Sequence, residues 1–145
     1  LAAEGEDDGA APEGAVRPRL AEIDRLVSRS RDSGLAVRLE TTGEPRTLPA
    51  SVDLAAYRIV QESLTNALKH GTGQAQVRIE YLPEQVRITV ENPLPEHAGQ
   101  PVESAGAGVI GMRERATLLN GRFDAGPRGR CWRVRAELPA MEVTT

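Results

Sequence analysis

The stretch Tyr57-Arg58-Ile59-Val60-Gln61-Glu62-Ser63-Leu64-Thr65-Asn66-Ala67-Leu68-Lys69-His70-Gly71 most narrows what this chain can fold into. At about 100° per residue, Leu54, Tyr57, Val60, Gln61, Leu64, Ala67 and Leu68 share one arc of a helix, while Glu62, Asn66, Lys69 and His70 share another. The first arc is mostly apolar and suits packing on a sheet. The second is left to face something else. Glu62 and Asn66 lie one turn apart, so both can converge on one small target. A carboxamide offers a neutral oxygen to a hard cation, and a carboxylate can accept a proton or orient a hydroxyl. That pairing suits a magnesium nucleotide, with Lys69 and His70 within reach of its phosphates. An ordinary amphipathic helix with a solvated face has the same pattern, so the rest of the chain must decide.

A first helix is expected from about Pro18 to Ser33, with Leu20, Ile23, Leu26 and Val27 at helical spacing and Gly34 as its stop. Ala36 to Thr42 alternates as a strand does. Ser51 or Asp53 is expected to cap the long central helix, which Gly71 ends. Two strands in hairpin order follow, Gln76 to Leu82 and Gln85 to Glu91, each with alternating apolar residues. Pro93 to Ala107 has no periodicity, and an irregular loop of that length inside a compact domain is usually functional, often a lid. A third helix is expected over Val109 to Asn120, then a hairpin of Arg122 to Ala125 and Cys131 to Leu138. Helices and mainly antiparallel strands without a regular strand-helix-strand repeat predict an α+β fold, a two-layer sandwich with three helices on one face of a sheet.

The 145 residues suffice for one domain with a core, and aromatics make up only 3%, so that core rests on Leu, Val, Ile and Ala. The five acids of residues 1–14 stand without a Lys or Arg; setting them aside leaves 18 basic against 16 acidic residues. Such a nearly neutral body argues against a dedicated nucleic-acid surface. Residues 1–17 read as a flexible acidic linker, 18–140 as the folded domain and 141–145 as a tail. The single Cys131 excludes an internal disulfide and fits a reducing compartment. No apolar run is long enough to span a bilayer. The chain starts at Leu1 rather than Met, and is expected to be a piece of a longer protein.

Gly106-Ala107-Gly108-Val109-Ile110-Gly111-Met112 has the spacing of a dinucleotide-binding fingerprint but lacks the buried strand that must precede it. What survives is that glycines admit a close phosphate, and that a helix start aims free N–H groups at it. A glycine hinge without a ligand would read the same way.

Taken together, Glu62-x-x-x-Asn66 with Lys69-His70, a strand pair ending at Asn92, an irregular stretch, and Gly106-x-Gly108-x-x-Gly111-Met112-Arg113-Glu114-Arg115 resemble the ATP-binding catalytic domain of bacterial sensor histidine kinases. The resemblance runs from about Leu20 to Pro139 and is nearest to the nitrate-sensor and desaturase-sensor subfamily. It implies the left-handed-crossover Bergerat ATP-binding sandwich and ATP with Mg²⁺ as cofactors. It also implies that Asn66 is the Mg²⁺ ligand and Glu62 the base or proton acceptor in phosphoryl transfer, with Lys69 and His70 near the phosphates. Asn92 would stand where the family usually has an Asp on the adenine amino group. Gly106, Gly108 and Gly111 would form the lid hinge and phosphate-side backbone, with Val109 and Met112 in the same nucleotide-binding stretch. The implied partners are an upstream dimerisation domain bearing the phosphoacceptor histidine and a response regulator with a helix-turn-helix output domain. The parent would be a homodimer attached to the membrane, with this domain on the cytoplasmic side. Neither His70 nor His97 sits in a phosphoacceptor context.

Two other readings share these residues: a nucleotide-binding interaction module without turnover, and a serine kinase of the anti-sigma-factor type. His70 equally suits a helix-end cap, and His97 a solvated loop position. Cys131 reads as a small filler and Trp132 as sheet packing. The Arg113-Glu114-Arg115 cluster reads as an exposed helix face from which Arg113 or Arg115 could touch phosphate or a neighbouring helical domain.

Overall fold

A computed structural model describes residues 19–96 and 106–140. The acidic lead-in, His97, most of the irregular stretch and the tail lie outside them. A 3₁₀ turn, Leu20–Glu22, leads into α1 (Ile23–Asp32), β1 (Ala36–Thr42), α2 (Ala50–His70), β2 (Gln74–Leu82), β3 (Gln85–Pro93), α3 (Gly106–Leu118), β4 (Arg122–Arg128) and β5 (Cys131–Pro139). The five strands form one sheet in the order β1-β2-β3-β5-β4. β1 pairs parallel to β2, which the crossover through α2 permits, and the other pairings are antiparallel.

Strand alternation sorts the sheet into two faces. Val37, Val77, Ile79, Val86, Ile88, Val90, Val134, Ala136 and Leu138 are buried beneath the three helices. The opposite face carries ion pairs such as Arg78 with Glu40 and Arg87 with Glu80 and Glu137. Hence the sandwich has two layers and one apolar seam, as the periodicity predicts. Helix α1 is tied to its neighbours by polar bonds at its end. Arg29 Nη2 donates to the Tyr57 hydroxyl at 2.9 Å, and Arg31 donates through Nε and Nη2 to the Val37 carbonyl. Gly34 releases the chain with φ of +106°.

Several boundaries differ from expectation. Neither Ser51 nor Asp53 caps α2: the N-cap is Pro49, without a side-chain cap bond. Asp53 instead accepts the Leu20 N–H at 3.2 Å, linking the entering chain to the first turn of α2. β2 starts at Gln74 because Gln74 pairs with Ala36 on β1. β4 runs through Gly126 and Pro127 to Arg128, which an edge strand tolerates because a missing N–H there breaks no ladder. The third helix begins at Gly106, three residues before Val109, so the glycines expected to form a hinge lie in its first turns.

The buried arc of α2 is also wider than the helical projection gives. Ala56, Ile59 and Ser63 are buried as well, while Leu68 is 44% exposed. The cause is that α2 packs on two partners. Leu64 and Val60 join the main core, whereas Ile59 joins Met112 of α3 with Val134 and Ala136 of β5 in a second cluster.

Candidate active site

The polar arc of α2 faces the glycine-rich start of α3. A methyl carbon added at Gly108 would lie 3.6 Å from Asn66 Nδ2 and 4.0 Å from both Asn66 Oδ1 and Glu62 Oε1; one at Gly111 would lie 3.9 Å from Glu62 Oε1. The two sequence motifs, some forty residues apart, therefore meet at one place. Any side chain longer than a methyl at Gly108 would fill the space over the Glu62–Asn66 pair.

Partners at this junction are incomplete. Glu62 Oε2 accepts from Arg115 Nη2 at 3.1 Å. Glu62 Oε1, Asn66 Nδ2 and Arg115 Nε are buried without a hydrogen-bond partner, three of five such side-chain atoms among the described residues. Each such atom carries a desolvation cost of about 1–3 kcal/mol, which a bound polar ligand would recover. The donor set also fits a metal delivered by its ligand. Among the described residues no group of three or more His, Cys, Asp or Glu could cage a metal ion. Mg²⁺ held by one or two protein oxygens and completed by phosphates and water needs no such cage.

Asn92 lies at the far end of α2. The extension of β3 to Pro93 places it within the sheet opposite Trp132, on the helix-covered face, and it is buried at 3% exposure. Its Nδ2 donates to the Pro93 carbonyl at 3.2 Å. A Cβ on Gly71 would sit 2.7 Å from that nitrogen and 2.8 Å from the Ala67 carbonyl oxygen. Gly71 thus lets the helix end directly on Asn92. Lys69 is exposed and His70 half-buried, both in the last turn of α2, where positive charge complements the helix dipole.

Val109 is half-buried and packs against the second apolar cluster. Met112 is fully buried in that cluster, and the Ser63 hydroxyl meets its Sδ at 3.4 Å. The side chain of Met112 anchors α3 on α2, so its reach to a nucleotide would be through the position of the helix. Trp132 packs in the same cluster, in keeping with a sheet-packing role. Arg113 lies 5.1 Å over the Phe123 ring, and its Nη1 donates to the Phe123 carbonyl at 3.4 Å.

The contact that sequence reasoning missed is that of Arg115, read there on an exposed face from which it could touch phosphate or a neighbouring domain, and found with its side chain 39% exposed and bonded to Glu62. A signal existed. Residues 108, 111, 112 and 115 follow the i, i+3, i+4, i+7 stripe of one helix face, so the face bearing Gly108 and Gly111 also bears Arg115. A cavity of about 730 Å³ lies elsewhere, lined from the open sheet face by Arg38, Gln76, Glu91 and Cys131. It includes none of Glu62, Asn66 and Asn92.

No protein-family model matches the chain. It is 27% identical over 98 residues to the sensor histidine kinase LnrJ of Bacillus subtilis, covering 66% of this chain and 24% of that protein. It is 34% identical over 92 residues to the nitrate/nitrite sensor protein NarX of Escherichia coli, covering 61% of this chain and 15% of that protein. The chain thus spans a quarter or less of the length of these relatives. Among solved structures it superposes on the Acinetobacter baumannii histidine kinase AdeS with a TM-score of 0.64 at 15% identity, covering 82% of this chain and 63% of that one. On the catalytic domain of the histidine kinase ThkA the TM-score is 0.59 at 17% identity, covering 83% and 93% respectively. The fold is that of histidine kinase catalytic domains.

Proposed function

We propose that this chain, similar in sequence to sensor histidine kinases and sharing the fold of their catalytic domains, is the ATP-binding catalytic domain of a two-component sensor histidine kinase. The observation that carries the reading is the meeting of Glu62 and Asn66, with buried unpartnered atoms, beneath the glycines of α3. Residues 18–140 would form that domain, with 1–17 as linker and 141–145 as tail.

Bound Mg·ATP would supply the γ-phosphoryl group and the metal charge that offsets its oxygens. The protein's part is positioning. Asn66 offers its carboxamide oxygen to the metal without adding charge. Glu62 presents a carboxylate oxygen that can take a proton or orient the attacking group. The start of α3 presents backbone N–H groups to phosphate, and its glycines keep side chains out of the way. Asn92 accepts from the adenine amino group, and Lys69 and His70, in the last turn of α2 beside it, would reach back towards Asn66 to meet phosphate. Glu62 and Gly71 are nine residues apart, about 13 Å along a helix, so the site is elongated along α2 as a nucleotide requires.

The acceptor would be a histidine on a separate dimerisation domain, and the phosphoryl group would pass on to a response regulator with a helix-turn-helix output domain. The parent would act as a homodimer attached to the membrane, with this domain on the cytoplasmic side. Among the described residues no helix is long and apolar enough to cross a membrane.

Calorimetric titration with ATP tests the site. Binding is expected to depend on Mg²⁺, and Asn66→Ala is expected to abolish that dependence. Magnesium-independent binding in both proteins would sink the metal assignment. Formation of phosphohistidine in the intact kinase, lost in Glu62→Ala, separates turnover from a nucleotide-binding interaction module; none in either would leave the module reading.

A further inference from the structure

We infer that Arg115 is the positioning residue for Glu62, fixing which oxygen of that carboxylate faces the reacting group. The inference rests on the proposed function and deepens it. A glutamate side chain ends in a torsion with a broad, nearly two-fold profile, so a free carboxylate exchanges its two oxygens easily. Here they are not equivalent. Oε2 is held by Arg115 Nη2 at 3.1 Å, and Oε1 is buried, unpartnered and within 4.0 Å of where methyl groups on Gly108 and Gly111 would stand. With Oε2 engaged, Oε1 is the acceptor left for the site.

Arg115 stands on the groove between α2 and α3, whose lining it shares with Leu54, Ala55, Arg58, Leu118 and Leu119, and its side chain is 39% exposed. A guanidinium is planar and rigid, so it presents its N–H groups to the carboxylate in a fixed fork. The pair also bridges the two helices that enclose the site. Without Arg115, the carboxylate would be free to rotate or to turn Oε1 towards water and escape its unpartnered burial. Binding of Mg·ATP through Asn66, Asn92 and the α3 backbone does not require that orientation; phosphoryl transfer does.

The test compares wild type, Arg115→Ala, Arg115→Lys, Glu62→Gln and the Arg115→Ala/Glu62→Gln double variant. Mg·ATP affinity is measured calorimetrically on this chain, and the phosphohistidine-forming rate on the intact kinase at saturating ATP. Arg115→Ala is expected to lower the rate by about 10- to 100-fold, as misplacement of a reacting group does, with affinity changed by less than about threefold. Free guanidinium ion at low concentration should restore part of that rate, and Arg115→Lys should fall between. The double variant should be no slower than Glu62→Gln alone, since a positioning residue has nothing to position once the carboxylate is gone. In this chain without nucleotide, the side-chain carboxyl ¹³C resonance of Glu62 should move in Arg115→Ala.

A loss of ATP affinity with an unchanged saturated rate would overturn the inference and make Arg115 a phosphate ligand. A double variant slower than Glu62→Gln by the full single-variant factor would overturn it too. Failure of the inference alone would appear as a slow Glu62→Gln beside a normal Arg115→Ala. A normal Glu62→Gln would instead sink both this inference and the catalytic role given to Glu62.

Discussion

Asp53 shows how one side chain can be taken from the role its position suggests. It lies in the first turn of α2, where an acid favours the helix dipole, yet its carboxylate is spent on the Leu20 N–H. Burial pushes its carboxyl above the ordinary value of 3.8, and outweighs the Leu20 hydrogen bond and the Arg19 charge that pull it down. Between that value and the raised one, the folded chain binds more protons than the unfolded chain. Stability from this group therefore falls as pH rises through the window and stays at the lower level above it. Asp53→Asn keeps an oxygen for Leu20 but never ionises. It is expected to leave stability at neutral pH equal or slightly higher, and to flatten the decline just above pH 3.8. Urea midpoints measured from about pH 3.5 to about pH 7 check this. Curves that run parallel in the two proteins would show that the buried charge carries no cost.

At the scale of elements, α2 is the organiser. One side joins the main core, a second meets α3, and its last turn ends on Asn92. Gly71 has φ of −98°, a conformation open to any residue, so its role is spatial rather than conformational. Gly71→Ala would press a methyl between the Asn92 amide and the Ala67 carbonyl. It is expected to destabilise the fold by about 1–3 kcal/mol and to weaken ATP binding as Asn92 is displaced. Thermal melting and titration on the same protein read both effects. A stable variant with normal ATP affinity would mean that Asn92 does not hold the base. Most of this element-level plan was legible in the sequence, because period 2 and period 3.6 survive in the strands and helices that bury one face. What was not legible came from contacts between elements. The pull of β1 on Gln74 and the burial of Ile59 and Ser63 against Met112 depend on a neighbour that no local window contains. The same holds in the site. Glu62, Asn66 and the glycines were marked by their chemistry, whereas the bond of Arg115 to Glu62 required knowing that α3 lies across α2.

For the molecule as a whole, binding should register as stability, because the proposed ligand would join parts distant in the chain: α2, the end of β3 and the start of α3. A ligand that binds only the folded state adds about 2.7 kcal/mol at a hundred times its dissociation constant. For a folded body of this size that corresponds to a rise in melting temperature on the order of 10 °C. Mg·ATP is expected to give such a rise, and ATP with a chelator a much smaller one. Asn66→Ala should lose the magnesium-dependent part. Glu62→Gln should keep it, since a proton acceptor is not needed for binding. That last contrast divides the two helical residues by role within one experiment. If Glu62→Gln lost the shift together with Asn66→Ala, Glu62 would belong to the metal or phosphate contacts, and the proton-handling role would have to move to another group.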